Sequence, residues 1–176
     1  MIFSPLSLQG ACLIDLQRHE DERGFFARSW CARELEEHGF SGDVKQCNIS
    51  YSVTRGTLRG MHYQDTPFEE ARLVRCTRGS IYDVIIDLRP QSATFKQYVG
   101  ATLSDENRSA LYVPKGFAHG FITLQDDVEV FYQMSEFFHP ECARGVRWDD
   151  PAFGVRWPIE VQVISERDRT YPDFQK

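Results

Sequence analysis

Two short segments carry the residue types best suited to chemistry: Arg59-Gly60-Met61-His62, and Pro114-Lys115-Gly116-Phe117-Ala118-His119-Gly120. An imidazole titrates near neutrality, so it can take up and return a proton at working pH if a partner fixes its tautomer. An aspartate is the usual partner, and Ser165-Glu166-Arg167-Asp168 at the far end of the chain offers one for His62. A satisfied core position is the other common fate of a lone inward histidine, and the residue alone does not separate the two. Asp83 and Asp87 interrupt an otherwise apolar run. A charge pointing inward is costly unless it is paired or lines a wet cavity, so these aspartates gain meaning from the histidines around them.

The elements that must position these residues are mostly short strands. The spacing predicts one helix over 32–38, rich in helix formers and followed by Gly39 where a C-terminal cap belongs. Strands are predicted over 11–16, 73–76, 81–88, 97–103, 110–113, 120–123, 128–134 and 155–163, separated by turn clusters such as Thr77-Arg78-Gly79-Ser80 and Gln125-Asp126-Asp127. Many short strands at near-regular spacing with one or two short helices predict an all-β sandwich or barrel. No strand–helix–strand rhythm and no glycine-rich phosphate loop are present, which sets aside most folds that hold nucleotides at a helix N-terminus.

The bulk properties bound the reading further. A length of 176 residues suits a single domain over 1–176. The apolar runs are far too short to cross a bilayer, and the first residues lack a basic segment followed by a long apolar one, so a cytoplasmic location is the default expectation. The formal charge of −6 argues against a nucleic-acid binder. It leaves room for a nucleotide, because two or three placed arginines can hold a pyrophosphate. The five cysteines (Cys12, Cys31, Cys47, Cys76, Cys142) are scattered without a CxxC pair, so neither a zinc cage nor a disulfide framework is expected.

The 114–120 segment resembles the second motif of the cupins, a PxGxxH turn that carries a histidine into a jelly-roll barrel. Metal-binding cupins pair it with an earlier HxH motif and a glutamate. Here the corresponding stretch holds His62 alone, so neither a metal nor another cofactor is implied. The full set of motifs is similar to that of the dTDP-4-dehydrorhamnose 3,5-epimerase family. It runs from Asp21-Glu22-Arg23-Gly24-Phe25-Phe26 through Gln46-Cys47-Asn48-Ile49-Ser50, Gly56-Thr57-Leu58-Arg59-Gly60-Met61-His62-Tyr63-Gln64 and Leu73-Val74-Arg75. Asp83-Val84-Ile85-Ile86-Asp87-Leu88-Arg89, Gly116-Phe117-Ala118-His119-Gly120-Phe121, Trp148-Asp149-Asp150-Pro151 and Trp157-Pro158 continue it.

That resemblance implies a cupin-type jelly roll that inverts C3, C5 or both on a nucleotide-linked 4-keto-6-deoxyhexose. His62 would be the base, Asp168 its orienting partner, Tyr132 the acid on the opposite ring face, and Arg72 the cation beside the developing enolate. Arg23, Phe26, Arg28, Gln46, Asn48, Arg59, Asp83, His119 and Phe138 would contact the substrate, and a homodimer is expected, with the Arg23 element reaching into the partner's site. Three positions depart from the family pattern. Arg72 replaces a lysine, which keeps the charge but removes a group able to shuttle protons. Phe137-Phe138 replace a pair of tyrosines. Arg28 replaces a glutamate associated with reading the nucleotide base, and a guanidinium can only donate hydrogen bonds. A mono-epimerase on a CDP- or GDP-linked keto sugar, and a cupin that binds a sugar nucleotide without turning it over, are the alternatives.

Overall fold

In a computed structural model of the chain, which describes residues 1–175, two antiparallel sheets face one another as a cupin-type jelly-roll sandwich. The first sheet holds β1 (Ile2–Pro5), β2 (Cys12–Asp15), β5 (Gln46–Ser52), β7 (Arg72–Arg78), β10 (Ala110–Val113) and β12 (Val128–Met134), in the order β1-β2-β10-β7-β12-β5. The second holds β6 (Thr57–Gln64), β8 (Ser80–Asp87), β9 (Tyr98–Ser104), β11 (Phe117–Thr123) and β13 (Ala143–Gly145), in the order β13-β6-β11-β8-β9. A two-residue strand, β14 (Val163–Ile164), lies parallel to the start of β6. A separate hairpin of β3 (His19–Asp21) and β4 (Gly24–Phe26) stands apart from both sheets. Among the described residues no helix is long and apolar enough to cross a membrane.

The two-residue period of a strand explains the packing. On β8, Ile81 and Ile85 point between the sheets, where they meet Val74, Leu111, Phe117 and Val130, while Val84 and Ile86 point outward under Phe153 and Trp157. With both faces covered, β8 and β11 are buried along nearly their whole length. The outer face of the first sheet is closed by α1 (Ala32–Glu37), whose Leu35 packs against Ile14, Leu73 and Tyr112. This helix ends as expected: Gly39, at φ +77, donates to the carbonyl of Glu36.

Two parts of the predicted layout differ. The 155–163 segment is largely irregular, and only Val163 and Ile164 pair with a neighbour. Gly154 and Trp157-Pro158 break it up, since a proline cannot donate to a ladder. Two unpredicted strands, β5 and β6, are among those that line the interior cavity.

The pairing of β6 with β11 carries a bulge. His62 lies opposite His119 and Arg59 opposite Phe121, so three steps on β6 answer two on β11. An unbroken strand would turn Arg59 and His62 to opposite faces. The extra residue brings both onto the cavity side. Gly60 sits in this bulge at φ +126, and a Cβ there would stand 2.5 Å from the Cα of Gly120 and 2.8 Å from the carbonyl oxygen of His119. Met61 turns its own backbone away from β11 and pairs with Val146, at 3.4 Å through its N–H and 3.0 Å through its carbonyl.

Candidate active site

Between β5 and β12 of the first sheet and β6 of the second, the apolar interior gives way to a cavity of about 560 Å³, lined by Arg59, His62, Arg72, His119, Tyr132, Arg167 and Asp168 among others. A second cavity of about 350 Å³ adjoins it and shares His62, Arg72, Tyr132 and Arg167, adding Gln46, Asn48, Tyr63, Phe138 and Arg144. Both fall in the size range of small-molecule sites. In a chain of net charge −6, the two cavities gather Arg59, Arg72, Arg144 and Arg167, the field an anionic ligand requires.

His62 Nε2 lies 2.7 Å from Asp168 Oδ1. Asp168 reaches it because β14 runs beside the start of β6 and leads into α2 (Glu166–Arg169), which Ser165 caps by accepting the Asp168 N–H at 3.1 Å. The second carboxylate oxygen accepts the Gly60 N–H at 3.2 Å. Burial would raise the Asp168 pKa, but the His62 hydrogen bond, the His62 charge and the Gly60 and Ser165 contacts outweigh it, and the carboxyl stays below its ordinary range. An ionised carboxylate only accepts, so Nε2 carries the imidazole proton and the lone pair falls on Nδ1, which has no hydrogen-bond partner among the described residues. His62 thus lines the cavity with one ring nitrogen held by Asp168 and the other free of protein partners among the described residues, the arrangement that a general base needs.

His119 is held differently. Its Nε2 lies 2.7 Å from Asp83 Oδ1, and its Nδ1 lies 3.3 Å from Arg72 Nη1. A guanidinium only donates, so Nδ1 accepts and Nε2–H donates to Asp83; both ring nitrogens are committed. Arg72 in turn gives Nε–H to Glu70 Oε1 at 2.9 Å, and Nη2 bonds the same oxygen. Tyr132, on β12 in the same sheet as Arg72 and opposite the sheet that carries His119, lines both cavities. Arg59 reaches back to β5, with Nε on Ser52 Oγ at 3.0 Å and Nη2 on the Tyr51 carbonyl at 2.9 Å.

His62, Asp168, Tyr132, Arg72, Arg59, His119, Gln46, Asn48 and Phe138 therefore come together around one continuous hollow. Asp83, expected at the substrate, is completely buried behind His119 and meets the cavity only through that ring. Arg23, Phe26 and Arg28 lie outside both cavities of their own chain. Arg23 pairs with Asp21 at 2.5 Å, Arg28 with Glu34 at 2.6 Å, and Phe26 is 75% exposed. Sequence reasoning missed Glu70, Arg144 and Arg167. The signal for Glu70 was a carboxylate two residues before Arg72, on the same side of an extended chain; for Arg167 it was adjacency to Asp168. Among the described residues no three His, Cys, Asp or Glu side chains converge as a metal-ligand set.

Comparison with known proteins finds relatives along the whole chain. The family model for dTDP-4-dehydrorhamnose 3,5-epimerase matches residues 5–176. A protein of that name from Methanothermobacter thermautotrophicus is 43% identical over 178 residues, covering 99% of this chain and 95% of the relative. The crystal structure of the Elizabethkingia anophelis NUHP1 epimerase superposes with a TM-score of 0.96 at 36% identity, over 99% of this chain and 96% of that one. The Bacillus anthracis epimerase, solved with TDP and PPi bound, gives 0.94 at 39% identity, over 98% and 99% of the two chains.

Proposed function

The chain belongs to the dTDP-4-dehydrorhamnose 3,5-epimerase family and is an isomerase, and from that premise we propose how its residues perform the reaction. The substrate is a nucleotide-linked 4-keto-6-deoxyhexose, carried on dTDP, with inversion at C3 and C5. The C4 ketone acidifies the neighbouring C–H bonds. His62 Nδ1 takes one of these protons, and the electron pair moves to the C4 oxygen to give an enolate. Free N–H groups of Arg72 stabilise that oxygen, the kind of fixed electrostatic contact that supplies much of the rate in such chemistry. Tyr132 then delivers its hydroxyl proton to the carbon from the opposite ring face. Solvent restores the tyrosine and discharges the imidazolium, so no net proton is gained or lost.

The observation that carries this reading is the placement of an Asp168-oriented histidine and a tyrosine on facing sheets of one cavity. Arg167 and Arg144 are the cations proposed for the diphosphate, and Gln46, Asn48 and Phe138 are the contacts proposed for the nucleoside, from the second cavity. A homodimer is part of the proposal. The strand β5 turns polar Gln46, Asn48 and Ser50 toward the interior and leaves Ile49 and Tyr51 exposed, and the detached β3–β4 hairpin presents Phe25 and Phe26. Exposed apolar side chains on an edge strand suit a self-association surface.

The test is solvent deuterium incorporation, with the keto sugar supplied on dTDP, CDP and GDP in turn and C3 and C5 followed by NMR. Label at both carbons on the dTDP sugar is the expected result. No label with any carrier, in folded protein, overturns the reading. Phe137 and Phe138 favour one variant of it: both rings lack hydroxyls and are about half exposed, and Phe138 lines the second cavity, so label at a single carbon would make the chain a mono-epimerase.

A further inference from the structure

We infer that Glu70 is a positioning residue for the reaction, holding Arg72 so that its guanidinium faces the enolate oxygen; the inference rests on the epimerase reading above. Glu70 stands two residues before Arg72, the first residue of β7, and is 6% exposed. Its Oε1 takes both Nε–H and Nη2 of Arg72, and Arg72 Nη1 is directed at His119 Nδ1. Three of the five guanidinium N–H groups are thereby committed, which leaves one on Nη1 and one on Nη2. Arg72 lines both cavities, so these two are the groups a ligand meets.

Stability alone accounts poorly for this arrangement. Glu70 Oε2 and Asp83 Oδ2 are buried without a hydrogen-bond partner among the described residues, and these two carboxylates end a chain Glu70–Arg72–His119–Asp83 that holds a single guanidinium. Buried ion pairs of this kind are commonly matched or bettered by apolar residues. Geometry accounts for it better. Arginine has a long, flexible stem but a rigid planar head, and that head stabilises a developing charge only when its plane is set beforehand. Glu70 sets the plane from one side and His119, braced by Asp83, from the other. A lysine at position 72 would act as a point charge and need no such orientation, so Glu70 is tied to the arginine that this chain carries there.

The first test is steady-state kinetics of Glu70→Gln on the keto sugar nucleotide that the parent chain turns over, with thermal melting to verify folding. A fall in kcat of about 10- to 100-fold is expected, from a misplaced oxyanion donor, with KM within about threefold of the parent. An unchanged kcat, or a loss confined to KM, in folded protein overturns the assignment. The second test leaves Glu70 in place and decides the matter if that variant does not fold. Arg72→Ala should regain turnover saturably with added guanidinium at non-denaturing concentration, because Glu70 still offers the seat, and not with ammonium. No rescue, or equal rescue by ammonium, overturns the inference. A parent chain that exchanges no proton with any of the keto sugars sinks the epimerase reading itself, a result distinct from all of these.

Discussion

Replacing Asp168 by asparagine changes one atom and forces a choice on the site. The carboxylate accepts from His62 Nε2 at 2.7 Å through one oxygen and from the Gly60 N–H at 3.2 Å through the other. Asparagine has a single acceptor. If its oxygen faces His62, its NH₂ confronts the Gly60 N–H, two donors in a buried position, which costs about 1–3 kcal/mol. If it flips, the oxygen satisfies Gly60 and the NH₂ faces His62 Nε2. The imidazole proton then moves to Nδ1, and the nitrogen meant to be the base is already protonated. Either way the imidazolium also loses its counter-charge in the transition state. A wrong tautomer behind a general base costs about 10²- to 10⁴-fold, roughly 3–5 kcal/mol of barrier. The predicted result is a loss of that size in kcat with KM little changed. The melting temperature should fall by only a few degrees, as expected for about 1 kcal/mol in a chain of this length. Deuterium uptake and inversion should fall together, since one base serves both. Turnover within tenfold of the parent, or a loss recovered by raising substrate, would refute the assignment of Asp168 as the partner that fixes the tautomer.

Other perturbations separate the remaining roles. Tyr132→Phe should keep deuterium exchange while losing inversion, because His62 still removes and returns a proton on its own face; equal loss of both, by NMR, would count against Tyr132 as the acid. Gly60→Ala should cost about 3–5 kcal/mol of unfolding free energy, combining strain at φ +126 with the contact against Gly120, and should abolish activity; a denaturant midpoint near that of the parent would show that the bulge tolerates a side chain. Asp87 is fully buried; burial would raise its pKa, but Arg89, Ser92 and Thr94 lower it to about 2. The folded value lies below the ordinary 3.8, so about 2 kcal/mol of stability should be present above pH 4 and vanish as pH falls toward 2. Asp87→Asn should melt lower near neutrality yet lose that acid-limb slope, and an unchanged slope would exclude Asp87 as its source. Ile49→Asp should convert a dimeric parent to monomer by sedimentation, whereas a parent already monomeric at micromolar concentration would remove the proposed interface.

The core was more legible in the sequence than the strands around the cavity, and the difference has a physical cause. Strand β12 is found at its predicted residues, Val128–Met134, and β10 at Ala110–Val113, because apolar runs between turn residues report burial directly. Strand β5 alternates in the reverse sense, with glutamine, asparagine and serine inward and isoleucine and tyrosine outward. A pattern search that expects apolar residues inside passes over such a segment. Strand β6 is disguised by its bulge, which puts Arg59 and His62 out of step with a two-residue repeat. His62 and Asp168 were each identifiable as residue types, but their contact spans 106 positions and depends on the two residue pairs between β14 and β6. The bond between Arg72 and Glu70 lies only two positions apart, yet its importance becomes visible only once His119 is seen on the far side of the guanidinium.

The bulge has a mechanical consequence as well. Because Met61 gives both its backbone bonds to Val146, the peptide just before His62 is anchored to the 143–146 stretch rather than to β11. That stretch also carries Arg144 into the second cavity. The end of the site that would grip the carrier and the end that moves protons thus share a short piece of backbone. On the proposed mechanism, a ligand held firmly at Arg144 would steady the strand on which His62 is mounted. Binding energy from the part of the substrate that never reacts would in this way be converted into order at the part that does.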